Sequence, residues 1–319
     1  MEEVLRVHDL VKEYDGRAVV DAVTFDVRRE EVVVLVGPNG SGKTTTIECC
    51  AGLRTPTGGT IEVDGVRPTG SLADRARIGL QLQESGLPPA MTVSEALALV
   101  ASLYRDPLDP AGLITDLGLG AAADARYETL SGGQKRRLDV GLAIIGRPPL
   151  VVLDEPTSGV DPEGRAGLWR LVREVVASTG AGVLLTTHDL AEAEDHADRL
   201  LVLRDGRVVM AGEPAALLGD AAGDWRLRVR TPTSAQLAAV RSSAARHVEG
   251  VDGVTAFGGR DEMRRLRDEL ESIEHRPDGE LLLGRTRLED LFALSARTPG
   301  TIAPAGSAGT AASPTAVAS

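Results

Sequence analysis

Three predominantly apolar runs mark the first two thirds of the chain, at 32–36, 150–153 and 182–187, and the third closes with two threonines before His188. Runs without polar alternation are typical of strands that are buried on both faces of a parallel sheet. Each run leads into glycine-rich or polar sequence, and helical sequence follows. Because the carboxyl ends of parallel strands share one edge of a sheet, this pattern predicts an α/β fold with a site at that edge.

The pattern divides the rest of the chain into further units. Shorter β segments precede the first run, at 4–7 and 18–27, and residues 85–145 form a predominantly helical insert. We predict three regions, which are an α/β domain over 1–219, a small α+β appendage over 220–297 and a disordered tail over 298–319. The tail carries no charged residue and has little apolar surface to offset the entropy of ordering.

Composition excludes several classes of protein. Hydrophobic residues make up 42% of the chain and charged residues 26%, as in soluble globular proteins. The net charge of −12 argues against a broad contact with nucleic acid or anionic lipid. The acidic start at Met1, Glu2 and Glu3 is unlike a signal peptide, and no stretch is long and apolar enough for a membrane span. We therefore expect a cytoplasmic protein that does not itself cross a membrane.

The two cysteines, Cys49 and Cys50, are adjacent. Adjacent cysteines exclude a disulfide framework and could supply half of a zinc site at most. We interpret them as small buried hydrophobic residues.

A phosphate-binding sequence follows the first apolar run. It fits the P-loop pattern G-x-x-x-x-G-K-[ST] and reads Gly37-Pro38-Asn39-Gly40-Ser41-Gly42-Lys43-Thr44. Glycines let successive backbone N–H groups face a β-phosphate, and the following helix adds its positive end. We expect Lys43 to bridge β- and γ-phosphate oxygens, Thr44 to ligate Mg²⁺, and the next residue, Thr45, to join the nucleotide contacts.

Two carboxylates follow the second apolar run. Asp154 ends that strand and is predicted to complete the magnesium site, directly or through water. Its neighbour Glu155 is then placed to orient and deprotonate an attacking water, which requires a carboxylate within hydrogen-bond reach.

A further motif, Leu130-Ser131-Gly132-Gly133-Gln134, stands twenty residues before Asp154. With the P-loop and the two carboxylates in this order, the chain from residue 4 to about 218 resembles the ATP-binding cassette (ABC) ATPases. The resemblance implies a P-loop NTPase fold with a helical insert, the nucleotide ATP and the ion Mg²⁺.

The same resemblance assigns roles to residues outside these motifs. Tyr14 matches an aromatic that stacks on adenine. Gln83 matches the Q-loop glutamine, which contacts magnesium beside the transmembrane partner, and Gln81 is a weaker candidate for that role. Asp161 lies in the D-loop, and His188 matches the switch histidine that contacts the γ-phosphate.

The signature sequence implies a partner. Ser131 and the N–H groups of Gly132 and Gly133, at the start of a helix from Gln134, form a second anion-binding end. The family's arrangement is a head-to-tail dimer that sandwiches two ATP molecules, each between one copy's P-loop and the other's signature. The resemblance thus implies a homodimer, or a pair of related ATPase subunits.

The resemblance also bears on what the ATPase drives. Residues 187–214 look like subunits that work with a separately encoded membrane permease, at the inner face of the cell membrane. Residues 286–292 are similar to the terminal segment of bacterial multidrug exporters of the daunorubicin-resistance type, although an amphipathic helix closing the appendage explains them as well. Export is favoured over an importer ATPase. ABC ATPases of translation, DNA repair or regulation remain alternatives.

One departure from the family pattern is Glu30-Glu31, where Gly-Glu is usual. It removes a permissive turn position just before the first apolar run.

Overall fold

The structure is a computed structural model that describes residues 2–68, 71, 74, 76–82, 86–250, 252–273 and 279–290. Its strands are β1 Glu3–Tyr14, β2 Arg17–Arg28, β3 Val32–Val36, β4 Gly58–Val63, β5 Ile78–Gln81, β6 Leu150–Asp154, β7 Gly182–Thr187, β8 Arg199–Arg204, β9 Arg207–Gly212, β10 Trp225–Arg230, β11 Arg246–Gly250, β12 Gly253–Gly258 and β13 Glu280–Arg285. Its α-helices are α1 Lys43–Cys50, α2 Val93–Ala101, α3 Pro110–Asp116, α4 Gly132–Ile144, α5 Pro162–Thr179, α6 Leu190–His196, α7 Pro214–Ala222, α8 Ser234–Ser242 and α9 Arg260–Ser272.

The central sheet of the described residues has the strand order β5-β6-β7-β3-β8-β9. Its first five strands are parallel, and β9 pairs antiparallel with β8. Every residue of β3, β6 and β7 is buried, as expected for runs without alternation. The α/β prediction is therefore confirmed, and the ends of β3, β6 and β7 meet at one edge.

Apolar cores cover both faces of the central sheet. On one face, Val33 and Leu35 pack with α1 and with an antiparallel sheet of order β2-β1-β4. On the other face, Val34 packs with the helical insert and α5. Cys49 and Cys50 are free and at most 1% exposed, which confirms their interpretation as buried hydrophobic residues.

The helical insert contains helices α2, α3 and α4. Helix α2 begins with a capping box of Thr92 and Glu95, and α3 has the N-cap Asp109 before a proline. Two short 3-10 turns, Gly120–Ala122 and Tyr127–Thr129, connect α3 to α4. The insert thereby places the N-terminus of α4 on the strand-end side of the N-terminal unit, close to the loop before α5.

The C-terminal residues form a second, smaller unit of strands and helices. Its antiparallel sheet has the order β11-β12-β10-β13, and α8 and α9 pack on one face around Leu227, Val229 and Met263. On the other face, Phe257 and Leu288 enter the core of the N-terminal unit. Helix α7 crosses the boundary expected at residue 219, and the tail expected over 298–319 lies outside the described residues.

The family departure at Glu30 has a local consequence. Glu30 adopts a φ of 62°, in the left-handed region that glycine occupies without steric cost. The turn before β3 therefore keeps its conformation, although its residue carries a Cβ.

Candidate nucleotide-binding and catalytic site

The loop from Gly37 to Gly42 connects β3 to α1 in a conformation that requires glycine. Gly40 and Gly42 have φ values of 79° and 102°, and Gly42 is the N-cap of α1. A Cβ on Gly42 would lie 2.6 Å from the carbonyl oxygen of Val19, and one on Gly37 would lie 2.7 Å from the Ser41 hydroxyl. The loop is thus a closely packed cradle of backbone, as predicted for a phosphate site.

Two polar side chains are buried inside this cradle. Lys43 is 6% exposed, and its ammonium group donates to the carbonyls of Gly37 at 2.9 Å and Pro38 at 3.2 Å. Burial lowers the pKa of Lys43, while the carboxylates of Glu155 and Asp154 oppose that shift. The Ser41 hydroxyl is buried and has no hydrogen-bond partner among the described residues. An unpaired buried hydroxyl beside a buried cation fits a site whose anionic ligand supplies the missing contacts.

Asp154, at the end of β6, is 1% exposed. The Thr186 hydroxyl, on the neighbouring strand β7, donates to its carboxylate at 2.5 Å. Burial raises the pKa of Asp154, and hydrogen bonds from Thr186 and Thr44 work against that shift. The hydroxyl of Thr44 and the carboxylate of Asp154 are oxygen donors of the kind that Mg²⁺ uses together with substrate phosphates, so this pair fits the predicted ion.

Glu155 and His188 form a polar pair at the ends of β6 and β7. The Glu155 Oε2 atom and the His188 Nδ1 atom lie 3.2 Å apart, and the two side chains are 15% and 58% exposed. Glu155 has a φ of 48°, and its backbone N–H donates to the Thr186 hydroxyl at 3.0 Å. The backbone of Glu155 is therefore strained, in the left-handed region that glycine usually occupies, and the residue lines the same cleft as the P-loop.

The P-loop and this pair line one cleft of about 520 Å³, within the usual range for ligand pockets. Its lining residues are Gly37, Pro38, Asn39, Glu155, His188, Leu190 and Arg204. The structure thus brings together the P-loop, Glu155 and His188, as expected. Leu190 and Arg204 also line the cleft, and no role was predicted for them.

The signature residues start helix α4. Ser131 is its N-cap and shares a capping box with Gln134, and Gly132 and Gly133 form its first turn. A Cβ on Gly133 would lie 3.8 Å from Asp161 Oδ1, so this helix end lies beside the D-loop. None of these residues lines the cleft. Within one chain the signature and the P-loop therefore stay separate.

Tyr14, at the end of β1, stands apart from the cleft. It is 38% exposed, and the cations of Lys12 and Arg54 lie 5.1 and 5.8 Å from its ring centre. An exposed, electron-rich ring at this point is compatible with stacking on a base.

Of the two candidate Q-loop glutamines, Gln81 is among the described residues. Gln83 lies outside the described residues. Gln81 is 2% exposed, and its amide donates to the backbone carbonyl of Asp154 at 3.3 Å. Gln81 therefore supports the strand end from within the sheet and does not line the cleft.

Thr186 is a site residue that sequence reasoning missed. Its hydroxyl joins Asp154 and Glu155, and it is fully buried in β7. A signal was present, because Thr186 and Thr187 are polar residues in an otherwise apolar run that ends at His188.

One edge of the parallel sheet carries the P-loop, the buried aspartate and the adjacent glutamate. This combination defines a P-loop nucleoside triphosphatase. A family model described as "ABC transporter" matches residues 20–158. Nod factor export ATP-binding protein I from Rhizobium meliloti is 39% identical over 256 residues, which cover 78% of this chain and 75% of that protein. The chain therefore belongs to the ABC transporter family, as an ATP-binding subunit and ATPase.

Solved structures agree with this assignment. The structure of an ATP binding subunit of an ABC transporter matches 68% of this chain and 91% of that chain, with a TM-score of 0.61 and 33% identity. A dimeric ATP-binding cassette in a post-hydrolysis state, bound to ADP and Pi, matches 66% of this chain with a TM-score of 0.60 and 23% identity, and so shows the same fold. None of the helices in the described part of this chain combines the length and hydrophobicity of a membrane span.

Proposed function

We propose that this ATPase closes on ATP as a head-to-tail dimer and thereby drives export through a separately encoded membrane permease, at the inner face of the cell membrane. The observation that carries the proposal is the cleft in which a P-loop faces the Glu155–His188 pair while the signature helix begins elsewhere. The cleft of one chain holds the P-loop and the proposed catalytic pair but lacks the signature residues. A second copy of the chain would supply them.

The residues divide the chemistry among them. The P-loop N–H groups and Lys43 bind the phosphates, and Tyr14 stacks on the base. Thr44 and Asp154, with Gln83 in the family pattern, hold Mg²⁺, which when bound neutralises phosphate charge. Glu155 orients the attacking water and accepts its proton, and His188 holds Glu155 and contacts the γ-phosphate.

The direction of transport rests on the relatives and on the C-terminal segment. The Rhizobium relative is named for export, and residues 286–292 resemble the end of daunorubicin-resistance exporters. In its finer form, the proposal is therefore multidrug export, with selectivity in the permease. Compounds that accelerate ATP hydrolysis by the intact complex would identify the substrate, and acceleration by a solute-binding protein would indicate import.

The test of the dimer is Glu155→Gln, which keeps the shape of the side chain and removes the base. With ATP and Mg²⁺, size-exclusion chromatography should show a shift from 33.4 kDa to twice that mass, and turnover should fall by about a thousandfold. Glu174→Gln, an exposed change on α5, is the matched control. It should hydrolyse ATP at the parent rate and elute mainly as a monomer, because its ATP-bound dimer opens again after each turnover. Lys43→Ala in the Glu155→Gln background should abolish the shift. A Glu155→Gln protein that stays monomeric with saturating ATP would refute the dimer.

A further inference from the structure

Helix α6 begins two residues after His188. Its N-cap is Asp189, whose carboxylate accepts hydrogen bonds from the N–H groups of Ala191 at 3.0 Å and Glu192 at 3.2 Å. Only Asp189 separates His188 from α6, so the position of α6 determines where His188 lies relative to Glu155.

On one side, α6 is tied to the loop that leaves the catalytic glutamate. The Thr157 hydroxyl donates to Glu192 Oε2 at 2.6 Å, and Arg165 pairs with Asp189 and Glu192, each at 3.3 Å. Arg165 also donates to the Val160 carbonyl, within the D-loop, at 2.7 Å. These contacts join α6 to the segment between Glu155 and Asp161.

On the opposite side, α6 is tied to the C-terminal unit. Glu194 lies two residues after Glu192, about 200° around the helix. Its Oε2 atom accepts the backbone N–H of Leu288 at 3.0 Å. The Leu288 side chain is 1% exposed and belongs to the core that contains Ala193, which is itself fully buried. The hydrogen bond from the Leu288 N–H to Glu194 thus ties this segment to α6, and the Leu288 side chain is buried in the same apolar core as Ala193.

The segment that carries Leu288 is itself fixed. Thr286 donates through its hydroxyl to the Gly223 carbonyl at 2.7 Å and through its N–H to the Asp224 carbonyl at 3.1 Å. Asp290 pairs with Arg226 at 2.6 Å, and both side chains are largely buried. The segment is therefore anchored to the start of the unit as well as to β10.

From this arrangement we propose that residues 286–290 are a brace on α6, and that Leu288 and Glu194 are positioning residues for ATP hydrolysis. The brace acts by holding His188 against Glu155 and α6 against the D-loop, so it rests on the proposed roles of those residues. The C-terminal unit is then part of the ATPase's catalytic support. None of its described residues lines the cleft.

The first test is Leu288→Ala, compared with Leu282→Ala in the same unit. Leu282 is 42% exposed on β13, outside the brace. Leu282→Ala therefore makes the same chemical change as Leu288→Ala and leaves the brace intact. Leu288→Ala should lower kcat about tenfold. The KM for ATP should stay within about twofold, because the P-loop is unchanged. Leu288→Met should restore most of the rate, and Leu282→Ala should match the parent protein.

A second variant pair keeps the proposal testable if Leu288→Ala does not fold. Glu194→Gln retains an acceptor for the Leu288 amide and should keep most of the rate, whereas Glu194→Ala should lower kcat. If the substitutions acted only by disturbing the fold, kcat would fall in both Glu194 variants to the extent that their thermal stability falls. Equal rates for the two Glu194 variants would overturn the proposal.

A spectroscopic reading reports α6 directly. Trp169 on α5 stacks on His196 of α6, with ring centres 4.5 Å apart. In a Trp225→Phe background, Leu288→Ala should change the intensity of Trp169 fluorescence, and Leu282→Ala should not. An unchanged kcat in Leu288→Ala refutes the brace, whether or not the spectrum changes. If the parent protein hydrolysed no ATP, the proposed catalytic roles would fail, while the fluorescence would still report whether the segment holds α6.

Discussion

At the scale of single residues, the Thr186 hydroxyl organises both acidic residues of the site. It donates to Asp154 Oδ1 at 2.5 Å and accepts from the Glu155 N–H at 3.0 Å. Because Thr186 is fully buried, water cannot replace these contacts. One side chain therefore fixes the orientation of the Asp154 carboxylate, the proposed magnesium ligand, and the backbone of Glu155, the proposed general base.

The change Thr186→Val tests this role, because valine has nearly the same shape and lacks the hydroxyl. We expect kcat for ATP hydrolysis to fall by roughly ten- to a hundredfold, since Asp154 and Glu155 both lose the hydrogen bond that orients them in their proposed roles. Steady-state ATPase assays across ATP and Mg²⁺ concentrations measure the effect, and a higher Mg²⁺ requirement should accompany it. Thr186→Ser keeps the hydroxyl and should stay close to the parent rate. Equal activity of the valine and serine variants would contradict the assignment.

Residues whose role follows from a local motif were predictable, and residues whose role depends on a neighbouring strand were not. The P-loop side chains and Asp154 lie in contiguous sequence that specifies its own chemistry. Thr186 acts because β6 and β7 are adjacent and in a register that pairs it with Asp154. Sheet order is set by the packing of the whole domain, so no spacing in the sequence contains it.

At the scale of elements, the approach of β5 to the signature helix α4 depends on Gly79. A Cβ at this position would overlap the Ala143 carbonyl and lie 2.8 Å from Pro148 Cγ. The signature helix is therefore held against the sheet by a contact that only glycine allows.

We predict that Gly79→Ala lowers the free energy of unfolding by about 1–3 kcal/mol, the usual cost of overpacking. Urea denaturation measures this loss. The control is Gly120→Ala in the helical insert, where a Cβ meets no atom within 4 Å, and it should change stability by less than about 0.5 kcal/mol. A Gly79→Ala protein as stable as the control would show that β5 and α4 can separate without cost.

The predicted elements fail where the pattern is interrupted. The sequence suggested a short strand at 4–7, yet β1 extends from Glu3 to Tyr14 through register shifts in its pairing with β2. A bulge adds a residue and breaks the alternation from which a strand is predicted. Strands β11 and β12 were also missed. The sequence of β11, Arg246–Gly250, contains a single large apolar residue and so has no strand pattern of its own, and it forms a strand by pairing with β12.

At the scale of the whole molecule, the two units share an apolar interface. Phe257 and Leu288 of the C-terminal unit are 2% and 1% exposed within the core of the N-terminal unit. Burying two large side chains is worth about 1.5–3 kcal/mol each, which is a substantial part of a domain's stability. The sequence predicted the appendage, but it gave no sign of this interface, because the residues that meet there lie far apart in the chain.

We therefore expect both units to unfold together. Tryptophan provides a probe in each, since Trp169 lies in α5 and Trp225 in β10. In Trp169→Phe and Trp225→Phe variants, the urea midpoint from the remaining tryptophan should agree with the midpoint from far-ultraviolet circular dichroism, within about 0.3 M. Using circular dichroism within each variant removes the effect of the substitution itself. If the Trp225 transition came at clearly lower urea than the circular dichroism transition, the C-terminal unit would unfold alone, and its contacts with the N-terminal core would be too weak to support the active site.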